Sequence, residues 1–329
     1  MKLLSFLLLL ITTGSLAQLP IDEEQFYARI KAGTILPEKL LTTKTAVFYP
    51  YTMTQKELEL TQEYFQRSGI DAVAYFVTDL LMAGRDVSVN MAQYLNGRDF
   101  SNLILFRKGN SSYKLTLFEY NRKANFIEND APTWVAENRL LEEVLKTLYL
   151  ATANAGLRRE NNLINEVPET MSPISAIDGR RNEFYAIDLK VDPLAVPKFG
   201  NEADDKALEE IMQTYPFKYT LTEATLSEAD LRKQGYLFVL RFVRARAKVA
   251  KQVLGYDVTK AESAIVSISY PDEQPQVRNI SADADVFKFY FKHIDSGNVY
   301  LGTKWDADET WQQAIMNQLR GMKIELKIP

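Results

Sequence analysis

Cysteine is absent from the 329-residue chain, and histidine occurs once, at His293. The first absence removes disulfides, thiol nucleophiles and thiolate metal ligands. It also removes the lipid-modified cysteine that anchors bacterial lipoproteins. A chain of this length can be held by its cores without cross-links. With one histidine and no cysteine, a zinc site would consist mostly of carboxylates, which zinc rarely uses alone. No GxGxxG or GxxxxGK[ST] pattern follows a predicted strand, so a phosphate-loop nucleotide site is not expected. Beyond the N-terminus no apolar run approaches the roughly 20 residues that a membrane-spanning helix needs. Charge is mildly acidic, with 39 basic and 43 acidic side chains and a net charge of −4, which argues against a dedicated nucleic-acid binder.

The most specific feature present is N-terminal. Lys2 supplies a positive charge, Leu3 to Ile11 is apolar except for Ser5, and Ser15-Leu16-Ala17 is a small-x-small sequence ahead of Gln18. These are the n-region, h-region and cleavage site of a secretory signal peptide. The sequence predicts a signal peptide over 1–17, cleavage near Ala17-Gln18, and a soluble periplasmic or secreted mature protein.

The remainder divides into an α/β domain over 18–151, a proline-containing linker packed on a domain over 152–200, and a second α/β domain over 201–329. Thr45–Tyr51 reads as a strand. Thr54 and Glu57 have capping-box spacing for the next helix, Gly69 ends it, and Ile70–Val77 is a buried strand. Phe217–Leu221, Ser227 with Asp230, Gly235 and Tyr236–Val243 repeat that order. Aligning Gly69 with Gly235 also brings Trp134-Val135-Ala136 near Trp305-Asp306-Ala307, each ahead of an apolar-periodic helix. Alternation at Tyr113–Phe118 and Phe287–His293 marks half-buried strands, with Asn102–Phe106 and Ala264–Tyr270 as their expected partners. The fold expected is α+β: two distantly related copies of a β-α-β-(α)-β-β-α unit. In 152–200, Pro168, Pro173, Pro193 and Pro197 punctuate the chain, and Glu183–Val191 alternates like an isolated strand.

No catalytic, cofactor or metal constellation emerges. His293 lies near Asp295 and Ser296, but a triad needs groups converging from different segments. Asp283 and Asp285 lack the pattern of an EF-hand loop, and Asp306, Asp308 and Glu309 suit the first turn of a helix. The basic run Arg241–Lys248 would project Arg244, Arg246 and Lys248 from one face of an extended strand, toward an anionic partner. Lys288, Tyr290 and Lys292 form the polar face of a later strand and read as an exposed contact.

The function expected is a non-catalytic binding or scaffolding protein of the bacterial cell envelope. Its partner would be an envelope protein or an anionic envelope component, met at the domain junction or along a sheet edge. The alternatives are a lipid or small-ligand carrier with an apolar cavity, and a carboxylate-dependent glycan hydrolase. The intact mass of the protein recovered from the envelope should correspond to a chain beginning at Gln18; a mass retaining residues 1–17 would remove the export reading.

Overall fold

The computed structural model describes residues 26–27, 30–164, 166–170, 174–258, 262–271 and 274–328. The predicted signal peptide and its cleavage site lie outside the described residues. The fold is α+β, with eight helices and three sheets among the described residues. No described helix is long and apolar enough to cross a membrane.

The first half runs β1 (Lys44–Tyr49), α1 (Gln55–Ser68), β2 (Asp71–Val77), α2 (Asp79–Met82), α3 (Arg85–Gly97), β3 (Phe100–Lys108), β4 (Tyr113–Glu119), β5 (Thr133–Asn138) and α4 (Leu141–Asn154). Its sheet has the order β2-β1-β3-β4-β5, with β1 parallel to β2 and β3, and β4 antiparallel to β3 and β5. Thr54 starts α1 with a reciprocal cap: its hydroxyl accepts from the Glu57 N–H at 3.3 Å, and Glu57 accepts from the Thr54 N–H at 2.6 Å. Gly69 ends α1 at φ 81°, a left-handed position that favours glycine. The parallel strands read as almost unbroken apolar runs because both faces are covered. Val47, Ile104, Leu115 and Leu117 pack beneath α1 and α4, whereas Phe48, Leu103, Leu105 and Phe118 face the opposite core.

The second half contains β6 (Arg181–Asn182), β7 (Leu194–Pro197), α5 (Glu202–Met212), β8 (Tyr219–Thr222), α6 (Glu228–Lys233), β9 (Phe238–Arg246), α7 (Ala247–Val253), β10 (Ala264–Ser269), β11 (Gln276–Ser281), β12 (Asp285–His293), β13 (Val299–Tyr300) and α8 (Trp311–Glu325). Its sheet has the order β6-β13-β12-β9-β7-β8. Strand β7 is parallel to β8 and β9, and β12 is antiparallel to β9 and β13. Read from the β8 edge, β8-β7-β9-β12-β13 has the order and directions of β2-β1-β3-β4-β5.

This topology pairs β1 with β7 and β3 with β9, so the Gly69–Gly235 alignment is one strand-helix step out of phase. Both glycines end a helix that feeds a parallel strand, and that local signature recurs at each such step. Trp134 and Trp305 each lie ahead of a helix as expected, but at different places in the layout, Trp134 within β5 and Trp305 in the loop before α8. Ala264–Ser269 pairs with Gln276–Ser281 in a separate hairpin, and the partner of β12 is β9. Within 152–200, Leu194–Pro197 is an internal strand of the second sheet rather than linker, with Pro193 just before it and Pro197 as its last residue. Ile187–Lys190 is a 3₁₀ turn.

One core lies between the sheets. Phe48, Phe76 and Leu105 of the first sheet share it with Leu81, Val87 and Met91 of α2–α3, and with Val243, Ala245 and Tyr290 of the second. The backbones also meet directly. The Arg244 N–H donates to Ala83 O at 3.1 Å, and Gly84, at φ 118°, leaves no room for a side chain. A Cβ there would sit 2.6 Å from Phe242 O. Gly84→Ala should therefore destabilise the protein by about 2–4 kcal/mol in urea unfolding. Gly97→Ala, in a helix with nothing within 4 Å of the added carbon, should be neutral or stabilising by about 0.5–1 kcal/mol.

Candidate functional site

The junction of the two sheets carries charge in two places, one buried and one open. The buried cluster is centred on Asp86, in the first turn of α3, where a carboxylate suits the helix dipole. Tyr290 donates its O–H to Asp86 at 2.7 Å, Lys292 Nζ lies at 3.4 Å and Arg241 Nε at 3.6 Å. Tyr290 and Arg241 are register partners on β12 and β9, which puts both on the face turned to α3. Glu228 completes the arrangement at 3.1 Å from both Arg241 and Lys292, and Asp178 accepts from Lys292 at 3.0 Å. Burial, reinforced by Asp86, pushes the Tyr290 hydroxyl well above its ordinary value, so it remains a neutral donor. Burial alone would lower the Lys292 ammonium, but Asp86, Glu228 and Asp178 outweigh it and raise the group.

Lys288, Tyr290 and Lys292 are thus buried and form no exposed contact. The alternation of β12 holds, but its polar face meets α3 and the loop before α8 instead of water. Lys288 Nζ reaches Asp306 and Gln318, each at 2.6 Å, and Leu301 O at 2.9 Å. Burial draws the Lys288 ammonium down and lifts the Asp306 carboxyl, and their mutual attraction opposes both shifts.

The open feature is a groove of about 690 Å³. Residues at and just beyond the carboxyl ends of β1, β2 and β3 line it: Pro50–Thr52, Thr78–Asp79 and Lys108–Gly109. Because α1 returns the chain to β2 on one side of β1 while β3 lies on the other, this edge is a topological switch point. In open α/β sheets that is where the strand ends splay and ligands are admitted. The second sheet supplies the opposite wall, through Arg244, Arg246, Asp283 and Asp285.

Five cations and four carboxylates line this groove, and several are committed to holding it open. Arg246 binds both oxygens of Asp79, at 2.8 and 3.2 Å, takes Asp283 at 3.2 Å, and stacks 3.9 Å from the Tyr51 ring. That two-oxygen contact ties the end of β9 to the start of α2. Lys108 Nζ donates to Thr52 O at 3.0 Å and to Glu57 at 2.9 Å, fixing the loop after β1.

Of the basic run, Arg244 and Arg246 therefore line the groove, but Arg246 is mostly buried in ion pairs. Lys248 lies in α7, because the strand ends at Arg246, and it is exposed outside the groove. Asp306, Asp308 and Glu309 precede α8 instead of forming its first turn, since Thr310 is the N-cap. Asp308 pairs with Arg278 at 2.6 Å. His293 Nδ1 lies 3.2 Å from Ser296 Oγ, while Asp295 turns away to Arg232 at 2.8 Å. Asp86, Tyr51, Asp79, Arg107 and Lys114 were not picked out from the sequence. The last two were within reach: a tight turn at Gly109 in an alternating hairpin places them opposite one another.

Glu57 provides a pH test of the groove's rim. Burial would raise its carboxyl, but hydrogen bonds from the Thr54 N–H, Tyr113 and Lys108 prevail and hold it at about 2, below its ordinary 4.5. A depressed folded value means that the stabilisation is present above 4.5 and is lost as pH falls toward 2. Glu57→Gln should lower the urea midpoint at neutral pH, and its midpoint should converge with that of the wild type as pH falls through this window. No protein-family model matches the chain, and no curated protein matches it.

Proposed function

We propose that this chain is an exported, non-catalytic binding or scaffolding protein of the bacterial cell envelope, and that the junction groove receives its partner. The observation that carries this reading is the groove's position. It lies at the switch point of one sheet and is walled by the other, so both halves contribute to one concave surface. The shared strand order supports reading the halves as copies of one α/β unit, with the groove as a composite of the two. Export rests on the N-terminal sequence.

Mixed charge around the groove favours a polar partner surface. A lipid carrier would need an apolar cavity, whereas this groove is chiefly charged and the core between the sheets is filled by side chains from both. A glycan hydrolase needs two carboxylates free for separate acid and nucleophile or base roles. Here Asp79 and Asp283 both pair with Arg246, Asp285 lies 3.7 Å from Arg244, and Glu137 accepts the Ser112 hydroxyl at 3.0 Å.

A photo-cross-linking residue in place of Ser112, at the groove's mouth, tests the reading in the native host. One envelope protein should be recovered in fixed proportion, and recovery should fall at least tenfold with Arg244→Glu. Recovery of the chain alone, or recovery indifferent to that change, would contradict the proposal.

A further inference from the structure

An edge strand presents unpaired backbone groups that template pairing with another strand, so folded proteins cover or guard it. The first sheet covers both of its edges with its own chain. At β2 the Tyr75 N–H donates to Glu169 O at 2.8 Å, and the Glu169 N–H to Val73 O at 2.9 Å. At β5 the Val135 N–H donates to Gly33 O and the Ile35 N–H to Thr133 O, each at 3.0 Å. Strand β8 holds the place of β2 in the second sheet, and among the described residues nothing pairs with its outer side. Lys218 O and Thr222 O accept from the Leu194 and Lys198 N–H groups at 3.0 and 2.9 Å. Alternation along the strand therefore turns the N–H and C=O groups of Tyr219 and Leu221 outward. Guards are missing as well: Tyr219–Thr222 holds no charge, proline or glycine, and tyrosine and threonine favour extended backbone.

We infer that β8 is a dimerisation edge, pairing antiparallel with β8 of a second copy about a two-fold axis through Thr220. The edge is complementary to itself, and this selects a second copy as the occupant. With the axis at Thr220, Tyr219 of each copy stands opposite Leu221 of the other. These are the residues whose backbone groups point outward, so both pairs exchange N–H···O bonds. Their half-buried side chains, packed on the core beneath α5, extend that apolar face across the axis as aromatic–aliphatic cross-strand pairs. Thr220, exposed on the opposite face, meets its own counterpart. Charge agrees with this direction. Exposed Lys218 precedes the strand and exposed Glu223 follows it. An antiparallel approach sets the basic end of one strand beside the acidic end of the other, whereas a parallel approach sets like ends together. The Lys218 ammonium makes no ion pair or hydrogen bond among the described residues. The two sheets become one, with the closed two-fold symmetry that most homo-oligomers adopt. Strand β8 lines no part of the groove, so each copy keeps its groove open, and the inference stands apart from the proposed function.

Sedimentation equilibrium of the purified chain tests this edge. The contact is small, so the wild type should form a dimer at micromolar concentration that dissociates on dilution. Thr220→Lys sets two ammonium groups together on the axis. It should weaken dimerisation at least tenfold and leave the circular-dichroism spectrum of the dilute protein unchanged. Thr220→Cys supplies the only thiol in the chain. Opposed residues that are not hydrogen-bonded stand about 4.5 Å apart at Cα, within the roughly 4.4–6.8 Å that a disulfide spans. Mild oxidation should therefore convert Thr220→Cys to a covalent dimer, while Lys146→Cys, exposed on α4, stays monomeric on denaturing gels. Three results would overturn the inference: a monomer throughout, a dimer that Thr220→Lys leaves intact, or cross-linking of Thr220→Cys no faster than that of Lys146→Cys. If the wild type is monomeric and a photo-cross-linking residue at Thr220 captures another protein in the host, the edge pairs with that protein and self-pairing is excluded.

Discussion

A carboxylate buried between two sheets must be answered by donors and cations, and the side chains that reach Asp86 among the described residues come from the other half of the chain. Tyr290, Lys292 and Arg241 converge on it, and Glu228 and Asp178 balance the two cations. Replacing such a cluster by well-packed apolar residues can leave stability unchanged, yet removing one member strands a buried charge at about 3–5 kcal/mol. The cluster acts chiefly on geometry. It admits one placement of α3 against β9 and β12, and the Ala83–Arg244 backbone contact and the tight approach at Gly84 lie beside it.

The groove follows from that placement. With α3 docked, the end of β9 passes the carboxyl edge of the first sheet, and Arg246 reaches across to Asp79 and Tyr51. Loops that would otherwise flank an open sheet edge become one wall of a concavity whose other wall is the second sheet. The apolar core supplies the driving force, since Phe48, Phe76 and Leu105 have their partners in Leu81, Val87 and Val243. The charged contacts set the register at which that core closes.

Local signals are legible in the sequence because they depend on neighbours along the chain. The Thr54–Glu57 cap, the left-handed Gly69 and Gly235, and the alternation of β4 and β12 all appear in the structure. A residue's role is not legible where it depends on distant residues. Lys288, Tyr290 and Lys292 alternate as a solvated face would, because periodicity separates polar from apolar but not water from a buried carboxylate. Asp86 is 204 residues from Tyr290, so nothing near either residue announces the contact. Leu194–Pro197 is a four-residue strand that follows Pro193 and ends on Pro197, too short for a periodic signal, although it sits inside the sheet. The groove was legible only as an expectation that a partner would meet the domain junction.

Differential scanning calorimetry of the wild type and Asp86→Asn tests the dependence on this cluster most directly. The account predicts one cooperative transition for the wild type, in which both sheets unfold together. In the variant the transition should move to lower temperature and broaden or split as the halves uncouple. Two independent transitions in the wild type, or a variant whose single transition keeps the wild-type midpoint, would contradict it.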